Sequence, residues 1–162
     1  MSKNFPYFDA SIMAKKYEKS SWGIVYRKSW NKIEVLLLKW LNSRQEEEFV
    51  IPKGKFEEGE IAKETAVREI SEETGLAQKD LEIIKFMTKL SYTFTAGHLE
   101  NNPVIEKDVY LFLVRYNGTA EPVVRKEERF TGYKWLPIEE VKKVEAKFDL
   151  PSLIGKNRVY FI

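Results

Sequence analysis

The stretch GKFEEGEIAKETAVREISEETGL, residues 54–76, decides how this chain is read. From Glu60 to Thr74 it carries good helix formers and no internal glycine or proline. Gly75 follows, where a left-handed residue commonly ends a helix. The spacing therefore predicts a helix over 60–74. On it Glu69, Glu72 and Glu73 stand three and four residues apart, so their carboxylates share one face. Like charges stacked this way cost about 0.2–0.5 kcal/mol per pair, a cost that a bound polyvalent cation would reverse. Without a cation, mutual repulsion should raise their pKa values, and the three would titrate as a coupled group. The plain alternative is a solvated acidic face with an ordinary Glu64–Arg68 pair.

The flanks extend the unit. Gly54 and Gly59 permit a tight turn before the helix, with Lys53 and Lys55 beside it. Such a loop can offer a backbone carbonyl to a cation and ammonium groups to phosphate oxygens. Ala62 and Ala66 are small and would let the helix approach a sheet closely.

Away from this unit, β-rich runs dominate. Residues 21–28 (SWGIVYRK) and 33–40 (IEVLLLKW) flank a polar SWN turn and read as paired strands. A short strand is expected at 49–51, running into a loop at Pro52 and Gly54. Residues 81–94 and 109–116 read as long strands separated by a polar loop over 95–107, and 130–136 as another. Pro137 suits the first turn of a helix through Lys143, because its missing N–H is not needed there. The tail, 148–162, reads as a short helix and a final apolar strand. Strands with two interleaved helices place the chain in the α/β (α+β) class.

Composition narrows the function. At 162 residues, 43% hydrophobic and 14% aromatic, the chain reads as one globular domain, 1–162. Its 27 Lys and Arg against 25 Asp and Glu are too balanced for bulk nucleic-acid binding. The absence of cysteine excludes a disulfide framework and fits a cytoplasmic setting. The N-terminus lacks a signal-peptide apolar core, and no apolar run reaches the ~18 residues of a membrane span. With a single histidine, His98, in the polar loop, a metal would be held by oxygen ligands, which favours Mg²⁺ or Mn²⁺.

The whole pattern fits the Nudix box, G-x5-E-x7-R-E-U-x-E-E-x-G-U with U aliphatic. Gly54, Glu60, Arg68, Glu69, Ile70, Glu72, Glu73, Gly75 and Leu76 all fall in place. From average residue usage, a chance match has a probability on the order of 10⁻⁷ or less. The chain thus resembles the Nudix hydrolase superfamily. That resemblance implies an α/β/α sandwich around a mixed sheet and a Mg²⁺- or Mn²⁺-dependent hydrolysis of a nucleoside diphosphate linked to another group. It makes Glu69, Glu72 and Glu73 metal ligands, joined by the Lys53 carbonyl, with Glu69 also acting on water and Arg68 orienting a carboxylate.

FVIPKGKFEEGE, before and into the box, resembles the lead-in of Nudix dinucleoside polyphosphate hydrolases, and EERFTGYKWLPIEEV a later segment of that subgroup. The implied substrate is a dinucleoside polyphosphate such as diadenosine tetraphosphate. Phosphates would meet Lys53 and Lys55, and a base would stack on Tyr133 or Tyr92, worth roughly 1–3 kcal/mol. Both tyrosines also read as half-core residues. Where the subgroup carries a glutamate, this chain has Arg129, and a one-residue shift makes Glu128 the distal carboxylate. Other readings are hydrolysis of nucleoside triphosphates, capped RNA 5′ ends, diphosphoinositol phosphates or ADP-ribose. A non-catalytic module sensing a nucleotide or binding RNA or protein is a reading from another class.

Overall fold

The computed structural model describes residues 15–143 and 149–162. Among these residues seven strands form one mixed sheet: β1 (Lys15–Ser29), β2 (Lys32–Leu41), β3 (Glu47–Val50), β4 (Lys53–Lys55), β5 (Leu81–Thr95), β6 (Val104–Tyr116) and β7 (Phe130–Pro137). Helix α1 spans Ala62–Thr74 and α2 Leu150–Lys156. β1 runs parallel to β6, and the other pairings are antiparallel.

β1, β2 and β6 are apolar on both faces because each face is covered. Trp22, Ile24 and Tyr26 of β1, with Val35, Leu37, Leu111 and Leu113, pack with Ile138, Leu150, Ile154 and Phe161 from the α2 side. Val25, Leu36, Leu38, Phe112 and Val114, on the alternate positions, pack with Ala66 and Ile70 of α1. This alternation yields the α/β/α layering implied by the box.

The register explains where a site can form. β1 and β2 are neighbours at their hairpin, with Tyr26 opposite Val35 and Ser29 opposite Lys32. Beyond it they part. β3 lines the β2 side, with Val50 opposite Leu38, and β4 lines the β1 side, with Lys53 opposite Trp22. β7 runs along the other edge of β2. The sheet is therefore split at its centre, and the split faces the end of α1.

Several sequence expectations change. β4 occupies residues assigned to a loop. β6 begins at Val104, so the polar loop shrinks to 96–103, where Asn101 and Asn102 adopt left-handed φ values of 66° and 41°. Three consecutive charged residues, Glu106, Lys107 and Asp108, hid that strand. Pro137 closes β7 instead of opening a helix, and a six-residue 3₁₀ helix follows at Ile138–Lys143. Among the described residues the tail adds no final strand. After a 3₁₀ turn at Arg158–Tyr160, Phe161 packs 5.0 Å from Tyr26, whose hydroxyl donates to the Tyr160 and Ile162 carbonyls at 3.4 and 3.2 Å. Phe148, the first residue of that tail, lies outside the described residues. No helix among the described residues is long and apolar enough to cross a membrane.

Candidate functional site at the split of the sheet

Helix α1 begins later than expected because Glu60 leaves the helical path. Its carboxylate accepts from the Glu57 amide at 2.9 Å, from the Thr65 hydroxyl at 2.6 Å and from the Arg68 guanidinium. The helix start is instead closed by the Glu64 carboxylate, which accepts the Ile61 amide at 3.0 Å. At the other end Gly75 has φ 70° and donates to the Ser71 carbonyl.

The helix sits tightly on the sheet, as its small residues suggested. Ser21 Oγ donates to the Ala62 carbonyl at 2.6 Å, and a Cβ on Gly23 would lie 2.5 Å from Ile70 Cδ1. Gly59, at φ 81°, makes the turn expected of it. Gly54 does not turn. It lies within β4, and a Cβ there would fall 1.9 Å from Glu69 Cδ. The box glycine is the seat on which the Glu69 carboxylate rests.

Arg68 runs through the acidic ridge. Its Nη1 donates to Glu69 at 2.8 Å and to Glu72 at 3.2 Å, its Nη2 to the Lys55 carbonyl at 2.9 Å, and its Nε to Glu60. This holds the Glu60 carboxyl down at about 2. The expected mutual repulsion is a secondary effect. Burial is the main cause that raises Glu69, with Glu72 and Glu128 adding to it and Arg68 opposing.

Glu73 is the deepest of the three, 7% exposed, and its Oε2 accepts the Lys53 amide at 3.1 Å. Burial pushes its carboxyl up to about 8, with repulsion from Glu69 and Glu128 in the same direction. It borders a pocket of about 160 Å³ in the split, lined by Trp40, Val50, Ile51, Lys53, Glu73, Glu128 and Phe130. Glu128 belongs to a 3₁₀ turn, Lys126–Glu128, just before β7. Arg129, which stands at the expected glutamate position, adopts φ 70° and turns its guanidinium to the Asn42 carbonyl and the Trp40 ring.

The structure thus gathers Glu69, Glu72, Glu73, Arg68, Lys53 and Glu128. Lys55 lies next to them, its ammonium 2.9 Å from Glu18. Tyr92 is farther along the same sheet face. Glu18 of β1 is opposite Lys107 of β6, which is opposite Tyr92 of β5. Tyr133 is not in this row. It faces the α1 side, opposite Leu38, and donates to Glu121 at 3.2 Å. Glu121 also accepts from Trp135 at 3.1 Å and from Arg27 at 2.7 Å. His98 is exposed in the β5–β6 loop.

Lys107 was overlooked because it fell in the region read as a loop. Its half-buried ammonium, whose pKa desolvation lowers, stands between Glu18 and Tyr92. Continuing the β5–β6 pairing from Leu90 opposite Val109 would have found it.

Among the described residues no three acidic or histidine side chains converge on one point as a formed metal cage. Arg68 supplies the positive charge for Glu69 and Glu72. The donor set still fits a hard divalent cation. It consists of carboxylate oxygens, and among the described residues the Lys53 amide and the nearby Lys53 ammonium offset the charge of the buried Glu73.

A family model described as NUDIX domain matches residues 18–154. The chain belongs to the NUDIX family. Among curated relatives, the asymmetrical bis(5′-nucleosyl)-tetraphosphatase of Caenorhabditis elegans is 26% identical over 82% of this chain and 88% of its own length. Nudix hydrolase 6 of Arabidopsis thaliana is 32% identical over 56% of this chain, which spans only 28% of that protein. A C. elegans Ap4A hydrolase binary complex superposes with a TM-score of 0.68 at 24% identity, covering 88% of this chain and 96% of that one. The NUDIX domain of Shewanella oneidensis NrtR, complexed with ADP ribose, gives 0.61 at 17% identity, with 97% and 95% covered. These structures share the NUDIX fold, and the family is one of hydrolases.

Proposed function

We propose that this NUDIX chain, working as a single domain in the cytoplasm, hydrolyses a diphosphate linkage in a nucleoside diphosphate joined to another group. The substrate we infer is a dinucleoside polyphosphate such as diadenosine tetraphosphate, with Mg²⁺ or Mn²⁺ as cofactor. The observation that carries the reading is the buried Glu73 at the split, with Glu69 and Glu128 near enough to repel it and Lys53 at its side. The choice of substrate draws support from the PKGK lead-in and the match along 88% of the nematode tetraphosphatase.

Glu69, Glu72 and Glu73, with the Lys53 carbonyl, would hold the cation. Once bound, the cation supplies charge neutralisation on the phosphates and a lowered pKa for the attacking water. Glu69 orients or deprotonates that water, and Glu128 adds a further carboxylate as ligand or base. Arg68 is a positioning residue that fixes Glu69 and Glu72 through hydrogen bonds. Lys53, Lys55 and Lys107 meet phosphate oxygens. Tyr92, on their face of the sheet, takes a base, with Tyr133 the second aromatic considered for that role.

The test is a product assay with Mg²⁺ across dinucleoside polyphosphates, nucleoside triphosphates, ADP-ribose, diphosphoinositol phosphates and capped RNA. Cleavage of diadenosine tetraphosphate ahead of the others is expected. Cleavage of ADP-ribose or mononucleotides alone would reject the substrate, and no cleavage of any would favour a binding module.

A further inference from the structure

β5 ends the sheet on one side, and among the described residues no strand pairs with its outer edge. Such an edge exposes a row of backbone donors and acceptors, which natural sheets protect by shortness, charge, proline or bulges. The other end strands of this sheet carry those protections. β3 has four residues and opens on Glu47 and Glu48, and β7 has eight and closes on Pro137. β5 has fifteen, with bulges only in its first half, between Ile83 and Lys85 and between Phe86 and Thr88.

Its second half has none of these devices. Residues 90–95, LSYTFT, are uncharged and free of proline, and Ser91 to Thr95 are all exposed. The preceding charge, Lys89, is tied to Asp108 at 3.0 Å. Tyr92 and Phe94 project from one face with ring centroids 6.0 Å apart. An antiparallel copy of the strand related by a two-fold axis through Thr93 would set Thr93 opposite itself and Tyr92 opposite Phe94 of the second copy. That register joins aromatic pairs on one face and small hydroxyl residues on the other, with no charge opposed.

We propose that the edge of β5 at residues 91–95 is the interface of a symmetric homodimer, in which two sheets continue as one. Self-complementarity and missing edge protection favour a second copy over an unrelated strand. Phe94 of the second copy would then stand beside Tyr92, adding an aromatic ring to the face that carries Lys55 and Lys107. The inference rests on the sheet edge and not on the hydrolase reading.

The chain has no cysteine, so Thr93→Cys places one thiol on the proposed axis. Sedimentation of the full chain over a concentration series should reach twice the 19.1 kDa mass of one chain. The introduced thiols of two chains should cross-link under mild oxidation, and Thr93→Lys, which opposes two ammonium groups, should sediment as a single chain. A monomer at every concentration would overturn the proposal, as would a dimer that Thr93→Lys leaves intact and Thr93→Cys fails to cross-link. Edge cross-linking that appears only after residues 1–14 are removed would assign the edge to the chain's own N-terminus and equally overturn it. Circular dichroism of both variants separates misfolding from dissociation, and Thr93→Ser should retain the wild-type mass.

Discussion

Glu73 carries most of the electrostatic tension of the proposed site. A Glu73→Gln change keeps the shape and removes the charge. Outer-shell partners of metal ligands are worth 10–100-fold, so losing a ligand should cut hydrolysis by about 100-fold or more. Without metal at pH 8 the variant should melt at least as high as the parent, since no charge need be buried. Full activity in Glu73→Gln would remove it from the metal set.

The same group fixes the direction of a pH effect. Its carboxyl stands at about 8 in the folded chain, above the ordinary 4.5, so between those values the folded state holds a proton that the unfolded state has released. In chelator, stability should therefore fall as pH rises from about 5 to 8, and Glu73→Gln should flatten the slope. Glu60 and Asp108 behave oppositely. Hydrogen bonds from Arg68 hold the first at about 2, and those from Ser91, Tyr17 and Lys89 hold the second at about 2. Their contribution is present above about pH 4 and is lost as pH falls towards 2. Denaturant midpoints measured across the pH range would check both arms. The sequence alone showed that the glutamates share a face. It could not show that burial, more than repulsion, raises Glu69 and Glu73, because burial is set by strands that lie far away in the chain.

Between elements, the seat of α1 on β4 decides whether the carboxylates are held in place. A Gly54→Ala change would thrust a methyl group into the Glu69 carboxylate, which has no clearance there. The expected outcome is a loss of hydrolysis of about 10–100-fold, with far-ultraviolet dichroism nearly unchanged. Activity equal to the parent would show that Glu69 does not depend on this seat. The spacing of the box made Gly54 visible as a special position, and a turn was the natural reading. A close approach between strand and helix cannot be told from a turn by composition, because both need a residue without a side chain. β4 itself escaped notice for a related reason. Two lysines and a glycine make a strand only because the N-terminal half of β1 supplies the partner.

Across the molecule, the doubly covered sheet sets the stability. Leu36 is fully buried on the α1 side, and Leu36→Ala should cost about 2–5 kcal/mol in urea unfolding. A loss under about 1 kcal/mol would mean that this face repacks freely. The apolar runs of β1 and β2 announced paired strands, and the structure buries them on both faces. They did not tell that β1 and β2 would diverge and leave room for a pocket between β3, β4 and β7.

Local patterning by itself determined the acidic helix, its glycine stop, the main strands and the NUDIX box, since each depends on residues close in sequence. Tertiary structure decided which carboxylates meet. Glu128 reaches the pocket of Glu73 from fifty-five residues away because the split sheet closes there, and Arg129 turns aside to Trp40. It also put Tyr92 and Tyr133 on opposite faces, through the pairing of β5 with β6 and of β7 with β2. Strand register converts distance in sequence into a shared face, and register is fixed only when all the strands are in place.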